Sequence, residues 1–108
     1  MTHPSKPADS GPPYRIKRSP TAKAQYDELQ KRDRRKWRKV NKALRLLADN
    51  PKHPSLAAHR YAGEFGPSGE PIWTAYVENN TPAAWRLFYC YPAHEKGVIW
   101  IASIERHR

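Results

Sequence analysis

The sequence holds a single cysteine, Cys90, so it has no means of building an intrachain disulfide framework or a cysteine-rich zinc site. No apolar run comes near the ~20 residues a membrane-spanning helix needs, and no membrane role is expected. The opening stretch, MTHPSKPADSGPP, lacks the apolar segment of a secretory signal, which makes the cytoplasm the expected location. Acidic residues are also scarce: Asp and Glu number 10 against 20 Lys and Arg, a formal net charge of +10. They are too few and too scattered to supply the paired carboxylates of a magnesium-dependent nuclease. There is no Walker-type phosphate loop, no G-x-S-x-G nucleophile elbow and no internal repeat. Hydrophobic residues reach only 38%, but 4 Trp, 6 Tyr and 2 Phe are side chains that a wholly disordered chain does not carry. They are sufficient for one modest core in a chain of 108 residues.

Positive charge at this density predicts attraction to polyanions. Its distribution is uneven, because 14 of the 20 basic residues lie at or before Arg45, against Asp9, Asp27, Glu28 and Asp33. The densest run is Lys31, Arg32, Arg34, Arg35, Lys36, Arg38, Lys39 and Lys42. A solvated, merely solubilising helix face normally interleaves Glu with its Lys and Arg, and this one does not. Cations just behind Asp33 would also stand at the positive end of a helix, which is locally unfavourable. A binding role for the run, with Arg34, Arg35 and Arg38 as nucleic-acid contacts, accounts for both features.

Residues 1–13 are rich in Pro, Gly and small polar residues and read as a disordered arm; residues 14–108 read as one domain. Tyr14 to Arg18 alternates apolar and basic residues, the pattern of a short strand. Ser19-Pro20 is a helix start, with Ser as N-cap and Pro where its missing N–H does no harm. The helix runs to about Arg32, with Asp27–Lys31 and Glu28–Arg32 spaced as ion pairs. Trp37, Val40, Leu44 and Leu47 form the apolar stripe of a helix over about 34–48, closed by Asn50-Pro51. Asp33 either separates two helices or lies within one bent helix. Beyond Pro54 the period changes to two, and strands are expected near 56–61, 72–78, 84–91 and 98–104, with Gly63 to Pro71 as a loop. The almost wholly apolar last strand is expected to be central. The order of elements is that of an α+β fold: strand, two helices, then three or four mostly antiparallel strands, with the helices packed on one side of the sheet.

Within that frame, Arg86 interrupts a strand that otherwise reads as core. Arg is rarely buried without an anion, so it either pairs with Glu78 or Glu105 or serves as a rigidly held clamp for a phosphate. His107, between Arg106 and Arg108, directly follows the last strand, and an imidazole is the usual proton-transfer group near neutral pH. Lys52, His53, His59, Arg60 and Tyr61 gather further basic and titratable groups after the second helix. His53 and His59 lack the Cys or helical His partners that would support a metal site, and no metal or cofactor is implied. Trp73 and Tyr76 are candidates for stacking on bases. This inventory suits metal-free RNA cleavage, which needs a base for the 2′-OH, cations for the phosphorane and an acid for the leaving 5′-oxygen.

Three stretches resemble the RelE/ParE superfamily of type II toxins: Asn50-Pro51-Lys52-His53-Pro54-Ser55-Leu56 at the end of the second helix, Ile72 to Val77 followed by Trp85 to Tyr89, and Ile99 to Ile104 followed by Arg106-His107-Arg108. The resemblance covers roughly residues 14–108. It implies a RelE/ParE-like α+β toxin fold and an acidic antitoxin partner. RelE-like members act as endoribonucleases (mRNA interferases) on the ribosome, with the basic helical face against ribosomal RNA. Carried over, Arg86 falls at the phosphate-binding strand arginine and His107 at the C-terminal catalytic basic position. His59 is then a further catalytic candidate. Lys52, His53, Arg60, Tyr61, Trp73, Arg106 and Arg108 fall among nucleic-acid contacts. The ParE-like branch shares the fold but inhibits DNA gyrase. A basic binding module without catalysis is the other alternative.

Overall fold

The computed structural model of the protein describes residues 12–79 and 83–106. Met1 to Gly11 of the expected arm, the loop residues Asn80 and Pro82, and the terminal His107 and Arg108 lie outside the described residues. The elements are β1 (Arg15–Arg18), α1 (Pro20–Arg32), α2 (Arg34–Asp49), a 3-10 turn (Pro54–Leu56), β2 (His59–Phe65), β3 (Pro71–Tyr76), β4 (Trp85–Cys90) and β5 (Val98–Arg106).

Ser19 caps α1 as expected. Its Oγ accepts the Ala22 amide at 2.9 Å and donates to the Ala102 carbonyl at 2.7 Å, which ties the helix start to β5. Asp33 separates two helices. Its backbone leaves helical geometry at φ −150°, its N–H closes α1 on the Leu29 carbonyl, and its carboxylate accepts the Lys36 amide at 3.0 Å to open α2. The carboxylate also offsets the crowd of cations at that helix's positive end. Of the two ion pairs expected on α1, Glu28–Arg32 forms, whereas Asp27 pairs with Lys23 one turn earlier, at 3.2 Å, instead of Lys31.

All five strands form one sheet in the order β1-β5-β4-β3-β2, with β1 parallel to β5 and the other neighbours antiparallel. This is the expected α+β architecture. β5 is interior, between β1 and β4, but the middle strand is β4. The strand expected over 56–61 is displaced. Leu56 belongs to the 3-10 turn, and β2 runs on through Gly63 to Phe65. Gly63 has φ +84° and lies where the β2–β3 register shifts, so it makes a bulge inside a strand rather than the start of a loop.

The two helices cover one face of the sheet. Val40, Ala43 and Leu47 of α2, with Ala22 and Leu29 of α1, pack against Ala75, Leu87, Tyr89, Ile99, Ile101 and Ile104. Both Ile101 and Ile104 reach that face because the β4–β5 register shifts between Phe88 and Tyr89. The opposite face carries a smaller cluster, Ile72, Phe88 and Cys90, flanked by Tyr61, Trp100 and Ala102. Among the described residues no helix or strand layer lies over that second face, where Thr74 and Ser103 are buried and Tyr76, Arg86 and Glu105 are half-buried.

Candidate active site on the open sheet face

Cross-strand register fixes which side chains share the open face. His59, Thr74, Phe88 and Ser103 stand in one row, and Tyr76, Arg86 and Glu105 in the next. Arg86 is half-buried, and its guanidinium carbon lies 3.9 Å from the centroid of the Tyr76 ring. Its Nε is buried and has no hydrogen-bond partner among the described residues; the same is true of Thr74 Oγ1 in the neighbouring row. Stacking on a ring face leaves the in-plane N–H donors of a guanidinium available to a planar or tetrahedral anion.

Glu78, one of the two carboxylates that could neutralise Arg86, is committed elsewhere. It binds Lys36 at 3.3 Å and Lys39 at 3.2 Å and accepts the Trp85 amide at 3.2 Å. Partial burial raises the Glu78 pKa, but the Trp85 amide and the ammonium groups of Lys39 and Lys36 outweigh it and hold the carboxyl below its usual range. Glu105 is the remaining carboxylate and stands directly opposite Arg86 in the β4–β5 register.

His59 lies exposed on the edge strand. Its Nδ1 is 2.9 Å from the Ala57 carbonyl oxygen. A carbonyl only accepts, so Nδ1 carries the proton and Nε2 of the neutral ring presents a lone pair to solvent. Tyr61 shares this face and packs edge-on against Phe88 at 5.3 Å.

The remaining sequence-predicted residues that are described lie elsewhere. Trp73 faces the helices, with Arg60 opposite it in register, and its ring meets Tyr91 at 6.3 Å. Lys52 and His53 line the same cleft as Trp73. Arg106 stands opposite Trp85, whose side chain belongs to the helix-side core. Arg34, Arg35 and Arg38 are exposed on α2, in the layer on the other side of the sheet from Arg86. Within the basic run, Arg32 is paired with Glu28, and Lys36 and Lys39 with Glu78, so part of that charge is spent within the fold. The structure therefore places Arg86, His59 and Tyr61 on one face with Tyr76 and Thr74, apart from the other described candidates; His107 and Arg108 lie outside the described residues. Thr74 went unnoticed in the sequence because a Thr in a strand carries no signal of its own.

No protein-family model and no curated protein matches this sequence. Solved structures do resemble the fold. The YoeB dimer from Staphylococcus aureus is 20% identical, with 89% of this chain and 99% of that chain covered and a TM-score of 0.67. The YoeB–YefM toxin–antitoxin heterotetramer from the same organism is 20% identical, with 88% and 98% covered and a TM-score of 0.64. An archaeal RelE–RelB complex from Pyrococcus horikoshii is 17% identical, with 87% and 94% covered and a TM-score of 0.60. The chain has the RelE/ParE-like fold.

Proposed function

We propose that this chain is the toxin of a type II toxin–antitoxin system, an endoribonuclease that cleaves mRNA on the ribosome in the cytoplasm and is silenced by an acidic antitoxin. The observation that carries the reading is Arg86: a cation set on a rigid strand, stacked on Tyr76, with a buried Nε that has no partner among the described residues. Desolvating such a group costs stability unless something binds it, and a phosphate fits its donors. The shared fold and the antitoxin-bound structures among its neighbours support the toxin assignment.

In the proposed reaction a base takes the proton of a ribose 2′-OH, and the oxygen attacks the adjacent phosphorus. Arg86 donates to the oxygens of the phosphorane, and an acid protonates the departing 5′-oxygen. The products are a 2′,3′-cyclic phosphate and a 5′-hydroxyl. His59 offers Nε2 for one proton transfer. Its Cα lies about 12 Å from that of Arg86 by ordinary strand spacing, a gap that two long side chains and a phosphate fill. His107 is assigned the other transfer. That assignment rests on its place in the sequence, directly after Arg106 at the end of β5; the residue lies outside the described ones.

The test is a translating extract given a defined message and the purified protein. The expected result is new message ends inside the translated region, with upstream fragments ending in 2′,3′-cyclic phosphate. Intact message with undiminished translation contradicts the nuclease assignment, and cleaved or relaxed plasmid beside intact message points to gyrase instead.

A further inference from the structure

On the helix side of the sheet a cleft of about 640 Å³ opens between Tyr14, Trp73, Tyr89 and Tyr91, with Lys52 and His53 also lining it. Four aromatic residues around one cavity of that size match the general makeup of a small-molecule site. The rings are held by each other: Tyr14–Tyr91 at 5.6 Å, Tyr89–Tyr91 at 6.1 Å and Trp73–Tyr91 at 6.3 Å. Tyr89 is fully buried, and its hydroxyl has no hydrogen-bond partner among the described residues. Burial raises the Tyr89 phenol far above its ordinary range and pushes Tyr91 up to about 12, so both keep their protons at neutral pH. His53 Nδ1 accepts the Ser55 amide at 3.1 Å, which puts the proton of the neutral ring on Nε2 as a second donor. Lys52 is exposed, Arg60 stands across from Trp73, and none of the residues lining the cleft is acidic.

These features select an occupant. A purely apolar molecule leaves the Tyr89 hydroxyl unsatisfied, and a bare anion makes no use of the rings. A flat heterocycle with acceptor atoms and an attached phosphate satisfies both. We propose that the cleft binds a nucleotide, its base among the aromatic rings with an acceptor toward Tyr89 and its phosphate at Lys52 and His53. The site is on the opposite face from Arg86, so its occupancy is separable from cleavage and does not depend on the nuclease assignment. The same chemistry is offered by a free nucleoside 5′-monophosphate and by a nucleotide within single-stranded RNA.

The full chain is titrated, without ribosomes, with UMP, AMP, uridine, ribose 5-phosphate and a short uridine oligonucleotide, and binding is followed through tryptophan fluorescence and indole N–H chemical shifts. UMP or AMP is expected to bind at least about tenfold more tightly than ribose 5-phosphate or uridine, since each lacks one half of the recognition. Tyr89→Phe, which keeps the ring, and Lys52→Gln, at an exposed position, each weaken binding by about fivefold or more. An oligonucleotide that binds far more tightly than UMP identifies RNA as the source, and equal affinities identify the free nucleotide. Absence of saturable binding, equal binding of ribose 5-phosphate, or unchanged affinity in both Tyr89→Phe and Lys52→Gln overturns the proposal.

Discussion

A guanidinium stacked on a phenol ring is held in direction by the ring face, and its in-plane donors stay clear of the ring. On the proposed reading, that is what Tyr76 does for Arg86: it orients the group without using the donors a phosphate needs. Tyr76→Ala is expected to slow message cleavage about tenfold, and Tyr76→Phe to leave it within about threefold, because the ring face does the positioning. Cleavage rates on ribosome-bound message check this. Cys90 shows the opposite environment. Burial, aided by the Glu70 carboxylate, pushes its thiol up to about 11, and the side chain is buried. Iodoacetamide at pH 8 is expected to leave Cys90 unmodified in the native protein and to label it once urea unfolds the chain, as mass spectrometry would read. Arg86 stands out in the sequence because a charge in an apolar alternation is conspicuous. Trp73 and Tyr76 look alike there, yet they are three apart in one strand and so face opposite sides. Their separation is already contained in the sequence once the strand is placed, but the pairing of Tyr76 with Arg86 is a matter of register, which turns and tertiary packing decide.

Elements follow the same division. The first helix start is written locally in Ser19-Pro20 and forms; of the two alternatives the sequence leaves at Asp33, the structure takes the break. Asp33→Ala is expected to lower stability by about 1 kcal/mol in urea denaturation, the usual worth of an N-cap. The bulge at Gly63 and the register shift that turns Ile101 and Ile104 to the same face are not local. They depend on which strand lies alongside, so the sequence shows the strands but not how far β2 extends. Glu78 joins α2 to the end of β3 through Lys36 and Lys39, and its folded pKa lies below the ordinary value of 4.5. A lowered carboxyl pKa gives stability that is present above the unfolded value and lost as pH falls through the folded one. The wild type is therefore expected to be more stable than Glu78→Gln at pH 7, by up to about 1 kcal/mol, and the difference is expected to shrink as the pH falls from 4.5 through the lowered folded value. Urea midpoints across that pH range measure it.

At the scale of the whole molecule, a chain of net charge +10 carries its basic residues on two surfaces. The open sheet face holds Arg86, His59 and Tyr76, while Arg34, Arg35 and Arg38 lie exposed on α2 beyond the sheet. Replacing those three helix arginines with Gln is expected to weaken RNA binding and to reduce the slope of log K against log salt by about 2, with no change in where a message is cut. The most direct measurement of the central claim is the single-turnover cleavage rate of a ribosome-bound message by Arg86→Ala, taken beside its circular dichroism and urea midpoint. The expected result is a fall of about 10²–10³-fold in a protein with native spectrum and unchanged stability. Cleavage at the wild-type rate by the folded variant, or loss of activity only because the variant unfolds, contradicts it.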